Sequence, residues 1–167
     1  MHSSQMTQFV IDCEYNGPTK ELISMAIVPL WTQKRSLGLG VEAFVEEDRE
    51  FYEVISILPM DLDPWVKENV IPHLHKPGIT FQQFQEKLEA FLLKHNVREL
   101  HYDWCDDIAY VNRVFITGPG ERIKFPTQAL AHFHHTDIEY TSLTAHNALE
   151  DARAVAEAIR RRILRLP

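Results

Sequence analysis

His146 and Asp151 are two residues of this chain whose types and spacing could support chemistry. They lie five positions apart, where a polar turn passes into a helical pattern. On a regular helix five positions rotate by about 140°, so both side chains reach one cleft only if His146 lies in the first turn or in the loop before it. Imidazole can take a proton from water near neutral pH, and a carboxylate can bind a cation. We expect a catalytic pair; the alternative is a surface histidine and a solvated acid.

The residues that follow His146 have the pattern of a long amphipathic helix. Apolar side chains recur at three- and four-residue steps, at Leu149, Ala152, Val155, Ala156, Ile159 and Ile163. Arginines cover the outer face and the C-terminal end, where cations suit the helix dipole: Arg153, Arg160, Arg161, Arg162 and Arg165. Thr144 is the predicted N-cap. The pattern predicts a helix that packs one face on the core and carries Asp151 near its start.

A second pair of acids lies at the end of the first apolar run. Residues 9–11 are apolar, acids follow at residues 12 and 14, and a turn follows at residues 16–18. This pattern is typical of a buried strand and its end. Residues two apart on a strand point to the same face, so Asp12 and Glu14 would project together as oxygen ligands for a hard cation. The alternative is that the strand has already ended and both acids are solvated.

Two more strands are predicted before the first helix. Residues 21–30 form the second strand. Residues 41–45 and 51–57 form the third, with an acidic turn at residues 46–49 inside it. Short connections between apolar strands favour an antiparallel meander.

Two helices are predicted in the middle of the chain. The first is short, with Asp63 as its cap and Pro64 at its first position. Thr80 and Gln83 form a capping box for the second, which has an apolar stripe and runs to about Asn96. Both predictions depend on local sequence and need no knowledge of the tertiary fold.

A strand over residues 98–104 and a helix over residues 106–115 follow, with three acids at their junction. Asp107 is our choice for the acid that reaches the cleft, because the apolar residues that follow it at helical spacing form one buried face. Asp106 is the more natural helix cap, and Asp103 could finish the strand. Either could be the ligand instead.

The stretch from residue 118 to residue 140 reads as irregular and contains a cluster of histidines. Three of them, His132, His134 and His135, lie close together, but no cysteine or further ligand lies at a recognised zinc spacing. We expect a helix face or loop rim here rather than a metal site.

Composition and element order define the class of protein. The 167 residues, 45% of them hydrophobic, suit a single domain over residues 1–167, with residues 1–8 as a loose leader. The order of strands and helices predicts an α/β fold with a mixed five-stranded sheet, its first three strands antiparallel, flanked by helices.

Charge, cysteine content and hydropathy limit the partners and the compartment. A net charge of −7 argues against a protein that binds nucleic acid mainly through positive charge. It is compatible with an acidic site that needs cations. No apolar run is long enough for a membrane helix, so we expect no membrane partner. Two cysteines, Cys13 and Cys105, do not indicate a disulfide framework, and we expect a cytoplasmic protein.

Together, the acidic motifs resemble those of the DEDDh class of 3'-to-5' exonucleases. The sequence DCE at residues 12–14 is similar to the first motif of that class, and HNALEDA at residues 146–152 is similar to the third. The second motif departs from the pattern, because Asp103 stands four residues before Asp107 where these proteins often have Asn. Within the class, the N-terminal half is most similar to a small stand-alone exoribonuclease family of mycobacteria and phages, through residues 12–15, 21–28, 49–52 and 65–74.

This resemblance implies a fold, an activity and partners. It implies a ribonuclease H-like fold, two divalent cations, Mg²⁺ or Mn²⁺, and a homodimer. The expected reaction is hydrolysis of single-stranded RNA or 3' overhangs from the 3' end to nucleoside monophosphates. Two alternatives stay open: a 3'-to-5' DNA exonuclease of the same class, acting in proofreading or repair, and an inactive relative that only binds nucleic acid.

The resemblance also implies roles for individual residues. Asp12 would bridge both cations, Glu14 and Asp151 would bind the cation on the nucleophile side, and Asp107 would reach the other through water. His146 would be the general base. An apolar side chain would wedge the last base, and the candidates for this substrate contact are Tyr15, Met25 and Trp65, each of which could instead be a core or rim residue.

Overall fold

The computed structural model of the chain describes residues 7–31, 34–36, 41–43, 49–56, 61–126 and 130–165. The strands are β1 (Gln8–Asn16), β2 (Glu21–Pro29), β3 (Lys34–Ser36), β4 (Val41–Ala43), β5 (Phe51–Val54), β6 (Glu99–Tyr102), β7 (Ile116–Gly118), β8 (Glu121–Arg122) and β9 (Ala131–His134). The α-helices are α1 (Pro64–Asn69), α2 (Phe81–Lys94), α3 (Cys105–Val114) and α4 (Ala148–Leu164).

A mixed five-stranded sheet forms the centre of the molecule, in the order β5-β2-β1-β6-β9. Strand β2 is antiparallel to both of its neighbours, β1 and β5, whereas β6 is parallel to β1 and β9 is parallel to β6. Helices cover both faces. The predicted α/β class, the mixed five-stranded sheet and the antiparallel start are therefore confirmed.

Alternation along β1 separates the core into two layers. Phe9 and Ile11 pack into the layer beneath α2 and α3. Val10 packs into the opposite layer, where Val155 and Ile159 of α4 cover the sheet. Because side chains alternate along a strand, Asp12 continues on the face of Val10, toward the start of α4.

The prediction of one third strand over residues 41–45 and 51–57 is wrong. Phe51–Val54 alone joins the main sheet and pairs with β2. Val41–Ala43 pairs instead with Lys34–Ser36 in a separate two-stranded sheet. The edge of β2 is already occupied by β5, so the two apolar segments cannot share it. Residues 44–48 and 57–60 lie outside the described part of the chain.

The stretch predicted to be irregular contains the fifth strand of the sheet. Residues 131–134 form β9, which pairs in parallel with β6, from Glu99 opposite Ala131 to Tyr102 opposite His134. The expected helix face or loop rim at these histidines is therefore corrected to an edge strand. β9 alternates apolar and polar residues over only four positions, all of them exposed, so the signal of a half-buried strand is weak.

The ends of the helices mostly follow their predicted caps. Asp63 accepts a hydrogen bond from the Trp65 backbone at the start of α1. The capping box of Thr80 and Gln83 opens α2. At α4 the predicted cap Thr144 is wrong, because the helix begins at Ala148 and is capped by the Asn147 side chain.

The N-terminal part of the chain joins the fold earlier than predicted. Gln8 already belongs to β1, and the carbonyl of Thr7 accepts a hydrogen bond from the backbone N–H of Arg98. Of the expected leader over residues 1–8, residues 1–6 lie outside the described part. None of the helices in the described residues is long and apolar enough to cross a membrane.

Candidate metal centre and active site

The carboxylates of β1 lie at the mouth of a cavity of about 510 Å³. Asp12 and Glu14 are on the same face of the strand, as the two-residue spacing predicts. A bulge follows between Glu14 and Tyr15, so the regular pairing with β2 ends where the acids emerge. Asp12 is buried and Glu14 is partly buried.

A second pair of acids comes from the neighbouring parallel strand. Asp103 follows the end of β6, and Asp107 lies in the first turn of α3, where it is 1% exposed. Because β1 and β6 run in parallel, their carboxyl ends meet at the same edge of the sheet. Asp106 is turned toward Lys20 instead, with 4.0 Å between Oδ2 and Nζ.

The third contribution comes from the start of α4. The backbone N–H of His146 donates a hydrogen bond to Oδ2 of Asp151, with 3.0 Å between N and O. His146 has a φ of 63°, a left-handed conformation that turns the chain sharply before the helix. It lies in the loop before α4, as the five-residue spacing required, and its exposed side chain lines the cavity.

The side chain of Asn147 holds this turn in place through hydrogen bonds. Its side-chain oxygen accepts hydrogen bonds from the backbone N–H groups of Leu149 and Glu150. Its amide nitrogen donates to the carbonyl oxygen of His73 and to the hydroxyl of Tyr52. The residue is fully buried, so the backbone at His146 is held by a satisfied polar network.

The five carboxylates form two groups that share Asp12. One group consists of Asp12, Glu14 and Asp151, and the other of Asp12, Asp103 and Asp107; within each group the ligand oxygens lie within 4.8 Å of one another. Asp107, our choice from the sequence, and the alternative Asp103 both join the second group. In the described part of the chain Asp106 belongs to neither.

The crowding of these acids perturbs their ionisation. Burial, followed by the charge of Asp151, raises the pKa of Glu14 to about 8. Burial and the charge of Asp103 raise the pKa of Asp107 to about 8, although a hydrogen bond with the Cys13 backbone opposes this. Burial and the surrounding carboxylates raise the pKa of Asp12 well above its usual range. The negative charges of these acids are therefore unfavourable unless protons or bound cations neutralise them.

The donor set fits hard divalent cations. All the candidate ligands are carboxylate oxygens, which Mg²⁺ and Mn²⁺ prefer. Within the described residues, Oδ1 of Asp103 and Oδ2 of Asp107 are buried and make no hydrogen bond. Buried carboxylate oxygens without a partner are costly, and a cation bound between them would supply that partner. These acidic groups can bind metal.

Two of the three predicted substrate contacts line the same cavity. Trp65 is 52% exposed, and its ring meets the His146 ring edge-on with 4.9 Å between centroids. Tyr15 also lines the cavity. The prediction that Met25 contacts the substrate is wrong, because its side chain is fully buried in the core. It lies opposite Cys13 in the register of β1 and β2, so it shares the core-facing side of the sheet.

Two aromatic residues of the cavity were missed by the sequence analysis. Trp104 precedes α3 and is 57% exposed. Tyr140 lies in the loop before α4, where burial and the charges of Asp103 and Asp12 raise the pKa of its hydroxyl. The position of Trp104 next to Asp103 was a usable signal, whereas only the tertiary fold brings Tyr140 to the site.

The histidines of β9 flank this centre without entering it. The ring of His134 stacks on that of Tyr102, and its Nε2 lies 3.0 Å from the carbonyl oxygen of Asp103. His135 pairs with His101, with 2.8 Å between their ring nitrogens. Among the residues that the structure describes, His132, His134 and His135 belong to no group that could hold a metal.

Comparison with known proteins adds no relative to these observations. No model of a known protein family matches the chain, and no curated protein matches it.

Proposed function

We propose that the protein is a metal-dependent 3'-to-5' exoribonuclease with a ribonuclease H-like fold, of the DEDDh class that its motifs resemble. The observation that carries the proposal is the position of Asp12, which is common to both carboxylate groups. Each of the two groups could hold one cation, and phosphodiester hydrolysis is a reaction that two cations can promote. The mixed sheet with an antiparallel start and helices on both faces supports the proposed fold.

The residues of the site divide into two sets of ligands. Asp12 would be shared, Glu14 and Asp151 would complete one cation site, and Asp107 with Asp103 would complete the other. When bound, the two cations activate the attacking water and stabilise the negative charge that develops on the leaving 3' oxygen. The negative charges that now oppose one another would then be neutralised.

His146 is the proposed general base. Its imidazole stands at the rim of the cavity, next to the group that contains Asp151, and can accept the proton of the attacking water. The turn capped by Asn147 holds the backbone of His146, and the ring of Trp65 packs against the imidazole at nearly a right angle. This side chain would therefore reach the water without a large rearrangement.

Exposed aromatic rings support binding of a single strand. Trp65 and Trp104 both line the cavity and are more than half exposed, and nucleobases stack on such rings with little dependence on sequence. The cavity volume of about 510 Å³ is in the range of small-ligand sites and suits one terminal nucleotide. The net charge of −7 disfavours long duplexes, since few phosphates can be neutralised.

The test is product analysis with 5'-labelled single-stranded RNA and DNA of one sequence, in the presence of Mg²⁺ or Mn²⁺. We expect a ladder that shortens from the 3' end on RNA, is abolished by EDTA and is absent for Asp12→Ala. Equal ladders on both strands would favour the DNA exonuclease. Absence of a ladder on either strand would overturn the proposal in favour of a domain that only binds nucleic acid.

A further inference from the structure

A second cavity, of about 450 Å³, lies beside the acidic one. Its walls combine the apolar side chains of Leu22, Ile55 and Val114 with two cationic residues, Lys20 and Arg113. Two acidic residues, Glu21 and Asp61, also line the cavity. None of these residues belongs to the carboxylate groups. A volume of this size is typical of sites for small ligands.

Two stacked tyrosine rings separate the two cavities. Tyr15 lines the acidic cavity and Tyr110 lines the second, and their rings stack with 4.9 Å between centroids. Asn16 joins the same wall to the loop beyond: its side chain accepts from the backbone of Asp63 and donates to the carbonyl of Asp61. Asp63 lines the first cavity and Asp61 the second. A strand longer than one nucleotide could therefore occupy both cavities.

Tyr110 has a hydroxyl without a partner at this place. The residue is only 4% exposed, and across the described ranges its hydroxyl oxygen is buried and makes no hydrogen bond. A buried hydroxyl that loses its water without gaining a partner is destabilising. Tyr110 also lines the second cavity, and a polar ligand bound there would supply the missing partner.

The chemistry of the lining matches the parts of a nucleotide. Lys20 and Arg113 can bind a phosphate group. The ion pair of Lys20 with Asp106 is long, at 4.0 Å, and its lysine side chain is 56% exposed, so it offers little resistance to a competing phosphate. The ring of Phe81, 44% exposed at the edge, and the apolar floor offer surfaces for a base.

We propose that this second cavity binds the nucleotide adjacent to the terminal one, so that Lys20 and Arg113 hold a phosphate of the strand upstream of the cleaved bond. This inference rests on the proposed function, because the terminal nucleotide would have to occupy the acidic cavity. The Tyr15–Tyr110 stack then separates two successive nucleotide sites. A strand that fills both cavities binds more tightly than one nucleotide can.

The test compares a substrate confined to the acidic cavity with one that reaches both. The double variant Lys20→Gln/Arg113→Gln removes both cations. We expect its hydrolysis of a p-nitrophenyl ester of a nucleoside 5'-monophosphate to equal that of the wild type, while KM for an RNA pentanucleotide rises about tenfold. The control variant Arg161→Gln/Arg165→Gln makes the same change in net charge on α4 and its C-cap, across the sheet from α3, and should leave both values unchanged.

Two further measurements keep the subsite distinct from the active site. Fluorescence anisotropy of a labelled pentanucleotide on the Asp12→Asn protein measures binding without turnover, and the double variant should weaken it by a similar factor. Tyr110→Phe should weaken pentanucleotide binding without lowering the melting temperature, because it removes a hydroxyl that has no protein partner.

Each contrary result has a defined meaning. Equal pentanucleotide affinity in the wild type and the double variant would overturn the subsite, whatever the ester assay shows. If the double variant weakened inhibition by free uridine 5'-monophosphate but left pentanucleotide affinity unchanged, the cavity would be a site for a free nucleotide and the strand subsite would be overturned. Failure of the wild type to hydrolyse the ester would count against the proposed function, and the anisotropy measurement would still test the subsite.

Discussion

The backbone N–H of His146 and the carboxylate of Asp151 are joined by a hydrogen bond of 3.0 Å. This contact places the proposed base and a proposed metal ligand on one turn, although five positions on a helix would point them apart. The left-handed φ of 63° at His146 makes the contact possible. The site therefore depends on a loop conformation that the helix after it holds in place.

The first prediction concerns the imidazole of His146. His146→Asn should lower kcat about 10²- to 10⁴-fold, the usual loss when a general base is removed, while Mn²⁺ binding stays unchanged. Asparagine tolerates the left-handed conformation, so the backbone contact with Asp151 is kept. Steady-state kinetics and calorimetric titration of Mn²⁺ measure the two effects. Activity within a few-fold of the wild type would remove His146 from the reaction.

The second prediction concerns the crowding around Asp12. Without metal, Asp12→Asn should melt about 2–8 °C above the wild type, since it removes one of the opposed buried charges. The increase in melting temperature on addition of Mg²⁺ should largely vanish in the variant. Thermal melts with EDTA and with Mg²⁺ check both expectations. A variant that is less stable than the wild type in EDTA would show that the negative charges do not strain the fold.

The third prediction is the pH dependence of stability without metal. Glu14 and Asp107 have folded-state pKa values raised to about 8, above those of an unfolded chain. Folding then favours their protonated forms, so stability is highest at low pH. It falls as pH rises from about 4.5, near the pKa of the unfolded carboxyl groups, to about 8, their pKa in the folded protein. Urea titrations at several pH values with EDTA should show this decline, and Mg²⁺ should reduce it. A stability that increases across this range in EDTA would refute the assignment.

The fourth prediction concerns the cap of α4. Asn147→Ala removes the N-cap and leaves the carbonyl of His73 and the buried hydroxyl of Tyr52 without their donor, so unfolding should be easier by about 2–4 kcal/mol. Thr144→Ala is the matched control, because Thr144 lies outside the helix start, and it should change stability by less than about 0.5 kcal/mol. Urea denaturation of both variants provides the comparison. The reverse ranking would restore Thr144 as the cap.

Local signals in the sequence were sufficient for some elements and not for others. The capping residues of α1 and α2 and the spacing of Asp12 and Glu14 could be interpreted directly, because both depend on neighbours in the chain. The role of Asn147 was not evident, since its buried contacts with His73 and Tyr52 join distant segments.

Strand pairing was the main source of error. The edge strand β9 is four residues long, and because all four are exposed, its short apolar–polar alternation corresponds to no buried face. The separation of residues 41–43 from the main sheet depends on which strand occupies the edge of β2. Likewise, Met25 looks like a substrate contact until its register opposite Cys13 assigns it to the core.

Asp103 is an acid whose place in the site could be assigned only with the structure. The sequence left three acids as alternatives, and the fold brings two of them, Asp103 and Asp107, into one group with Asp12. The class that the motifs resemble often has Asn where this chain has Asp103. The additional charge at this position should strengthen cation binding, at the expense of stability when no cation is bound.

The number of Mn²⁺ ions bound per chain, followed by electron paramagnetic resonance, tests whether Asp12 organises two cation sites. We expect two Mn²⁺ per wild-type chain, with both sites weakened together by Asp12→Asn. The control Asp106→Asn, outside both carboxylate groups, should bind two as before. A wild-type protein that binds no Mn²⁺, or an Asp12→Asn protein that binds two with unchanged affinity, would show that Asp12 does not organise two cation sites.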